Sequence, residues 1–189
     1  MNELGDAFPD VLGAAVAGDR AAFAQLWRSA HPGLLRYLRV VCRADAEDVA
    51  SETWMRAMRG LGSFSGDEAS FRGWLAVIAR NHVADLKRRA GRRPEQLQAD
   101  VDEQRLGPVT DTAELAAEML STEDALRLVS TLPPAVAEMV ALRVIVGLDV
   151  AEVARIVGRS PGAVRVAVHR GLRALAAQVD PNGAAGTSV

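Results

Sequence analysis

The stretch FRGWLAVIARNHVADLKRR, residues 71–89, changes character along its length. It is apolar and aromatic at its start and densely basic in its last turn. The spacing of its apolar side chains predicts one buried face of an α-helix, formed by Phe71, Trp74, Leu75, Ile78 and His82. Ser70, directly before it, is the predicted N-cap. The stretch therefore predicts a helix that joins a packed core at one end and presents cations at the other.

Two further amphipathic segments lie upstream of this stretch. An apolar stripe that begins at Phe23 is expected to stop near Pro32, because proline removes a backbone donor from a helix. Asp45 is expected to cap the next helix. One face of that helix is predicted to be buried, and it consists of Ala50, Trp54, Ala57, Met58 and Leu61. Together these segments predict a compact helical domain.

Residues 148–173 have the length and the capping chemistry of a helix-turn-helix. Asp149 predicts the start of a short helix that Gly158 ends. Ser160 stands at an N-cap position with Pro161 at the first helical position, so a second helix is expected after a tight turn. The predicted outer face of that second helix presents Gly162, Arg165, Val166, His169, Arg170 and Arg173. Such a face suits a DNA major groove, and an ordinary helical hairpin with a solvated basic face is the alternative.

The charges are segregated along the chain, although the formal net charge is only −2. Residues 80–93 hold six basic side chains and one acid, residues 95–127 hold nine acids and two arginines, and residues 155–173 hold five arginines and no acid. An acidic stretch marked by Gly107-Pro108 predicts a flexible linker. The expected parts are a first domain at 15–93, a linker at 94–120, a second domain at 121–178 and a disordered tail at 179–189. The predicted fold class is therefore all-α, with two small helical domains joined by a flexible acidic linker.

Several classes of function find no support in the sequence. A single cysteine, Cys42, excludes an internal disulfide and a cysteine-rich zinc module. The three histidines are scattered, and no phosphate-binding glycine loop or metalloprotease motif is present. We therefore expect no enzymatic activity, no catalytic residues, no cofactor and no metal. No apolar run has the length of a membrane span, so a cytoplasmic protein without membrane insertion is expected.

Two groups of residues have the chemistry of nucleic-acid contacts. On the helix after Ser70, a basic stripe with an amide at its edge suits a phosphate backbone and some base reading; it consists of Arg80, Asn81, Lys87 and Arg88. The preceding loop offers an aromatic ring and small polar groups that could hold an unstacked base, namely Phe64, Ser65, Gly66 and Asp67. The sequence thus predicts a protein that contacts DNA at two places.

Three segments in series resemble the extracytoplasmic-function (ECF) sigma factors of bacterial RNA polymerase. The first is DAEDVASETWMRAMR (residues 45–59), and the second is residues 71–89. The third is LPPAVAEMVALRVIVGLDVAEVARIVGRSPGAVRVAVHR (residues 132–170). Their order and spacing are those of the family. The helix-turn-helix alone is weak evidence, because activators, repressors and recombinases share it.

The resemblance implies a role for each segment. The helix of residues 45–59 would dock on a clamp helix of the polymerase β′ subunit, with Asp45, Asp48, Glu52, Arg56 and Arg59 as the contact residues. The loop and the basic stripe would recognise and melt the promoter −10 element, with one flipped base held by the loop. The helix-turn-helix would read the −35 element through Arg159, Ser160, Pro161, Gly162, Arg165, Val166, His169, Arg170 and Arg173. The acidic linker would thread a basic polymerase cleft otherwise meant for RNA. The β and β′ subunits of core polymerase are the expected partners.

The resemblance also names partners and an idle state. Core RNA polymerase and promoter DNA are the expected partners, and we expect the idle domains to pack against each other or against an anti-sigma protein. Family members usually carry polar or basic residues where Val166 and Ala167 stand, so weaker phosphate contact is expected there. The alternative function is a free-standing helix-turn-helix transcription regulator, which would need its own dimerising surface.

Overall fold

We describe residues 3–89, 91 and 122–179 of a computed structural model of the chain. Every regular element in these residues is helical and none is a strand, so the predicted all-α fold class is confirmed. The helices form two units, one on each side of the predicted linker. The linker at 94–120 and the tail beyond Val179 lie outside the described residues.

The first unit holds four α-helices: α1 (Phe8–Val16), α2 (Arg20–Val41), α3 (Ala46–Gly60) and α4 (Glu68–Arg89). Short 3₁₀ turns at Gly5–Ala7, Arg43–Asp45 and Leu61–Ser63 precede α1, α3 and the loop before α4. Phe71 is fully buried at the centre of the unit. Its ring lies 5.7 Å from that of Phe8 and 6.3 Å from that of Trp54, measured between centroids. The predicted buried face of α4 is therefore confirmed only for Phe71 and Leu75, because Trp74, Ile78 and His82 are half-buried.

Helix α2 runs through Pro32, so the prediction that the helix stops there is wrong. Proline in a helix interior costs about 3 kcal/mol, because it removes one backbone hydrogen bond and crowds the preceding turn. Both flanking turns bury leucines, with Leu26 fully buried and Leu34 only 4 % exposed. Burying each such side chain stabilises the fold by roughly 1.5–3 kcal/mol. Packing on both sides of Pro32 therefore outweighs the local penalty.

The start of α4 also differs from the prediction. The helix begins at Glu68, two residues before Ser70, and the carboxylate of Asp67 accepts a hydrogen bond from the Ser70 backbone N–H at 2.8 Å. Asp67 is thus the capping residue, and the assignment of that role to Ser70 is wrong. An aspartate three residues before a free N–H satisfies it directly, which the serine inside the first turn cannot do.

The second unit contains α5 (Thr122–Val129), α6 (Pro134–Val140), α7 (Val150–Val157) and α8 (Pro161–Val179). A π-helical turn at Ala141–Ile145 extends α6. Gly171 on α8 allows a close crossing with α6, because a methyl group there would lie 2.9 Å from methyl carbons of Val136 and Val140. This packing holds α8, the second helix of the predicted helix-turn-helix, against α6.

The two units pack against each other around one buried carboxylate. Oε1 of Glu138, on α6, accepts hydrogen bonds from the Tyr37 hydroxyl at 3.2 Å and from Nε of Arg80 at 2.9 Å. Nearby, a methyl group on Gly73 of α4 would lie 3.5 Å from Cδ2 of Leu148. We call Tyr37, Arg80 and Glu138 the interdomain triad. Burial, with the charge of Glu138, raises the pKa of Tyr37 well above its usual value, so its hydroxyl stays a donor.

Candidate nucleic-acid interface

The C-terminal end of α4 is an exposed cationic surface. Its last turn contains Lys87, Arg88 and Arg89, and all three are exposed, as is Asn81. Arg88 is held by an ion pair with Asp85 one turn earlier. Cations at a helix C-terminus interact favourably with the helix dipole, so the surface is stable without a partner. It has the charge needed to neutralise phosphates.

The loop before α4 lies at the opposite end of the helix. Residues 65–67 are exposed, whereas the ring of Phe64 is half-buried, with its centroid 5.3 Å from that of Phe71 and 5.2 Å from that of Trp74. The 22 residues of α4 place the loop about 30 Å from the basic end, at 1.5 Å per residue. The loop and the basic end therefore form two separate contact surfaces and not one pocket.

The conformation of this loop depends on Gly66 and Asp67. Gly66 has φ +147°, and a methyl group there would lie 2.9 Å from Cβ of Ser70 and 3.3 Å from Cζ of Phe64. The hydrogen bonds from Ser70 lower the pKa of the Asp67 carboxyl, so it is ionised at neutral pH. Residues 65 and 66 are therefore exposed in a turn that Gly66 and the Asp67 carboxylate shape, next to the half-buried ring of Phe64.

Arg80 does not lie on the free surface with the other cations. Its guanidinium is bound to Glu138 in the interdomain triad, and its side chain is 35 % exposed. The sequence places Arg80 correctly on α4 but carries no local signal for a partner 58 residues away. Among the predicted contacts on this helix, Arg80 is thus bound by a residue of the other unit, whereas Arg88 pairs with Asp85 one turn earlier.

The outer face of α3 carries a mixed, ordered set of charges. Glu52 and Arg56 form an ion pair at 2.9 Å, and the hydrogen bond from Arg56 lowers the pKa of Glu52. Asp45, Asp48 and Arg59 are exposed around this pair. The five residues predicted for polymerase contact therefore share one accessible side of the helix and its preceding turn.

Two methionines on α3 add an apolar component that the sequence did not indicate. Met58 is 52 % exposed and Met55 is 42 % exposed, so the prediction that Met58 is buried is wrong. Met58 lies about 100° around the helix from the buried Ala57, which puts it at the edge of the core face. Trp27 of α2 is also 40 % exposed. Flexible thioethers beside a charged face are typical of protein-binding surfaces.

The helix-turn-helix forms as predicted. Asp149 and Glu152 make a reciprocal capping box at the start of α7, and Gly158 ends that helix with φ +70°. Oγ of Ser160 accepts from the Ala163 N–H at 3.1 Å, and α8 begins at Pro161. The residues exposed on the turn and on α8 include Arg159, Ser160, Pro161, Arg165, His169, Arg170 and Arg173, while Gly162 is half-buried.

Val166 is the exception on α8. Helical periodicity places it between Arg170 and Arg173, opposite the fully buried Val164, but its side chain is only 8 % exposed. The expectation that Val166 lies on the exposed outer face is therefore wrong. Burial of a valine side chain stabilises the fold by about 1.5 kcal/mol or more relative to its exposure to water, which favours the buried position of Val166. The cationic residues on both sides of it are the groups that are free to approach DNA.

His31 and His82 take part in packing within the first unit. Nδ1 of His31 accepts from the Trp54 indole N–H at 3.2 Å, and its ring stacks on Trp27 with centroids 4.2 Å apart. Burial lowers the pKa of His31 and of His82. Burial also raises the pKa of Cys42 to about 11, so its thiol stays protonated at neutral pH. Within residues 3–89, 91 and 122–179, no three His, Cys, Asp or Glu side chains are placed to share a metal ion. No helix in the same part of the chain is long and apolar enough to span a membrane.

Comparison with known proteins finds the same family in both units. The profile of Sigma-70 region 2 matches residues 23–93, and that of Sigma-70, region 4 matches residues 122–175. The chain is 37 % identical over 167 residues to the ECF RNA polymerase sigma factor BldN of Streptomyces coelicolor, a match that covers 86 % of this chain and 62 % of BldN. It is 36 % identical over 176 residues to the ECF RNA polymerase sigma factor ShbA of Streptomyces griseus, covering 87 % of this chain and 92 % of ShbA.

A solved structure shares the fold over nearly the whole chain. The structure of CnrH in complex with the cytosolic domain of CnrY is similar with a TM-score of 0.60 and 26 % identity. The match covers 94 % of this chain and 99 % of that chain.

Proposed function

Because this chain belongs to the ECF sigma factors, which direct promoter-specific transcription, we propose that it joins core RNA polymerase and guides it to promoters that have two separate recognition elements. The first unit recognises and melts the −10 element, and the helix-turn-helix reads the −35 element. One observation carries this division of labour. The two DNA-facing cationic surfaces, the end of α4 and the face of α8, lie on different units. A free-standing helix-turn-helix regulator would leave the basic end of α4 and its neighbouring loop without a role.

The first unit supplies two kinds of contact to the −10 element. Exposed Asn81, Lys87 and Arg88 suit the phosphates of a separated strand. The loop at residues 64–67, about 20 Å from Asn81 and about 30 Å from Arg88 along α4, suits one unstacked base. Polymerase contact is assigned to α3, where the Glu52–Arg56 pair lies among exposed charges and next to exposed Met55. The chain spans 62 % of the length of BldN, so these roles are proposed for this chain and not transferred from that protein.

The packed arrangement of the two units is the idle state. The names of the two promoter elements imply centres about 25 base pairs apart, which is about 85 Å of duplex at 3.4 Å per base pair. Among the described residues, the longest helices have 22 residues, or about 33 Å. Two such units in direct contact cannot reach both elements, so the interdomain triad has to open when the promoter is bound. Opening also frees Arg80 for the −10 element.

A protein partner is expected to act on this idle state. CnrH was solved in complex with the cytosolic domain of CnrY, which shows that this fold can be held by another chain. An anti-sigma protein that binds the closed units would keep both cationic surfaces from promoter DNA. The site of action is the cytoplasm, where polymerase and promoter are found. No catalytic chemistry is assigned to any residue of the chain.

Run-off transcription with core polymerase on genomic promoter fragments tests the proposal. We expect transcripts that depend on added protein. Glu52→Lys should weaken polymerase binding roughly tenfold, because it reverses a charge and breaks the pair with Arg56. Arg88→Ala should leave assembly unchanged, impair promoter opening and reduce the salt dependence of DNA binding by about one counterion.

Three outcomes would contradict the proposal. The first is the absence of dependent transcripts on every fragment. The second is a shift of palindromic duplex DNA by the protein alone, which would favour the free-standing regulator. The third is wild-type behaviour of both variants, which would overturn the residue assignments while leaving the family intact. Glu123→Gln, an exposed acid on α5, is the charge control.

A further inference from the structure

The first residue of α4, Glu68, is bound by backbone from the beginning of the chain. The Leu4 N–H lies 3.1 Å from Oε1 and 3.0 Å from Oε2 of Glu68, and the Gly5 N–H donates to Oε2 at 2.9 Å. The Glu68 side chain is only 12 % exposed. Hydrogen bonds to a carboxylate that is largely shielded from water are among the stronger ones in proteins. A segment 63 residues away is thus fixed to the first turn of α4.

Arg72 joins the same two segments from the other side. Its Nη1 lies 3.8 Å from Oε1 of Glu68 and 3.6 Å from Oε1 of Glu3. The Arg72 side chain is 12 % exposed, so its charge is poorly screened by solvent. One cation therefore bridges two carboxylates, one from the start of the chain and one from the start of α4.

An aromatic contact extends this connection to the neighbouring loop. Phe8 is 1 % exposed, and its ring centroid lies 5.7 Å from that of Phe71. Phe71 in turn lies 5.3 Å from Phe64, the first residue of the loop at 64–67. The N-terminal segment therefore supports both ends of the loop. It binds Glu68, which directly follows the loop, and it packs on Phe71, which contacts Phe64 at the start of the loop. We call residues 3–8 the N-terminal clasp.

From these contacts we infer that Glu68 is a positioning residue for the base-holding loop, and that the N-terminal clasp is part of the −10 recognition site. The inference rests on the proposed function of the loop at residues 64–67. Glu68 directly follows Asp67, so movement of its side chain moves the end of the loop. A pocket for a single base requires its groups to be held within about 0.5 Å. The clasp supplies that rigidity from outside the loop.

Binding of the holoenzyme to a fork-junction probe tests the inference. The probe carries a promoter found by the run-off assay, and each nucleotide of its −10 strand is replaced in turn by an abasic site. For wild type, we expect one position at which base removal weakens binding about tenfold, since stacking and pocket contacts to that base are lost. In Glu68→Gln this penalty should fall to about twofold. Affinity for the abasic probe itself should match that of wild type.

Two more variants separate positioning from general stability. Leu4→Pro removes one of the two backbone donors to Glu68 without altering α4. It should therefore reproduce most of the effect of Glu68→Gln, and the double variant should lose no more than Glu68→Gln alone. Glu123→Gln is the matched control, because Glu123 also stands in the first turn of a helix and pairs with an arginine four residues on, at 2.9 Å. Glu123→Gln should lose about tenfold in binding on removal of the critical base, as wild type does. Thermal unfolding of each variant is measured in parallel.

Three results would overturn the inference. If Glu68→Gln keeps the full abasic penalty, Glu68 does not position the loop, and the proposed function stands unharmed. If Glu68→Gln weakens binding to intact and abasic probes equally, its role is structural only. If wild type shows no penalty at any position, the base-holding loop itself fails and the clasp loses its role with it.

Discussion

Three aspartates stand directly before helices of the first unit, and Asp19 and Asp67 cap their helices whereas Asp45 does not. Asp67 accepts from the Ser70 N–H at 2.8 Å, whereas Asp45 makes no side-chain capping bond to α3. Backbone conformation explains the failure at Asp45, where ψ is 7°. The capping residues Asp19 and Asp149 are extended, with ψ of 114° and 169°. An extended N-cap turns its side chain toward the free amides, and a 3₁₀ turn does not.

Alanine substitutions of Asp67 and of Asp45 should therefore have unequal effects on stability. Asp67→Ala should reduce the free energy of unfolding by about 1 kcal/mol, because a capping hydrogen bond is lost. Asp45→Ala should change it by only a few tenths of a kcal/mol. Urea denaturation followed by circular dichroism measures both. Equal losses in the two variants would contradict the assignment of the cap.

The effect of Asp67 should depend on pH. Its pKa is lowered in the folded protein, chiefly by hydrogen bonds from Ser70. The stabilisation is therefore fully present above the unfolded pKa of about 3.9 and is lost as pH falls through the lower folded value. The stability difference between wild type and Asp67→Ala should shrink as pH falls below about 4. A difference that is the same at pH 7 and at pH 3 would exclude the ionised cap.

Helix crossings in this protein depend on small residues at particular positions. Gly171 lets α8 approach α6, and Gly73 lets α4 approach Leu148 of the second unit. Both glycines are buried and lie inside helices, where glycine costs about 1 kcal/mol relative to alanine. The close approach of the packed element offsets that cost. The glycines are thus informative about packing, and helix propensity alone would disfavour them.

Gly171→Ala should destabilise the second unit in spite of the better helix propensity of alanine. The added methyl group would lie 2.9 Å from Cγ1 of Val136 and from Cγ2 of Val140, so α6 and α8 have to separate. Overpacking of this kind typically costs about 1–3 kcal/mol. The expected net result is a loss of stability in urea denaturation.

Gly13→Ala in α1 is the control for this substitution. Gly13 is exposed, and a methyl group there would have no heavy atom within 4 Å. Its replacement should stabilise the protein by up to about 1 kcal/mol. If Gly171→Ala stabilised the protein as Gly13→Ala should, helix propensity and not the helix crossing would decide the outcome.

At the scale of the whole molecule, a single carboxylate links the two DNA-binding units. Glu138 is 9 % exposed, and it accepts hydrogen bonds from Tyr37 on α2 and Arg80 on α4. Nη2 of Arg43, which has φ +40°, donates to the Ser130 carbonyl at 3.3 Å in the same contact region. A buried carboxylate is stable only while its donors stay in place. The interdomain triad therefore holds the packed units together only while Tyr37 and Arg80 donate to Glu138.

Glu138→Gln should open the molecule. The amide accepts more weakly than the carboxylate and carries no charge for Arg80. Allowing for the partial exposure of Arg80, we expect a shift of the closed–open equilibrium by about 1–2 kcal/mol, or roughly five- to thirtyfold. Energy transfer between dyes on the two units, together with small-angle X-ray scattering, should report a more extended protein.

Glu123→Gln serves again as the control, because it removes one exposed acid from α5 without touching the triad. It should leave the distance between the units unchanged. Tyr37→Phe removes only one donor and should have an intermediate effect. An unchanged radius of gyration in Glu138→Gln would show that apolar contacts such as Gly73–Leu148 hold the units together without the triad.

The sequence by itself determined the features whose causes lie within a few residues of one another. The capping box at Asp149, the left-handed Gly158 and the Ser160 cap each depend on local backbone chemistry, so the helix-turn-helix could be predicted in detail. The basic end of α4 and the family resemblance are equally local patterns. The exposure of Lys87 and Arg88 could be predicted from these patterns.

Only the tertiary structure decided the features that depend on distant partners. The passage of α2 through Pro32, the engagement of Arg80 by Glu138, the burial of Val166 and the bonding of Leu4 to Glu68 have no local signal. Two of these contacts join residues 58 and 64 positions apart. Periodicity reports which face of a helix is apolar, but the partner that covers a face or binds a charge is chosen by how the whole chain packs.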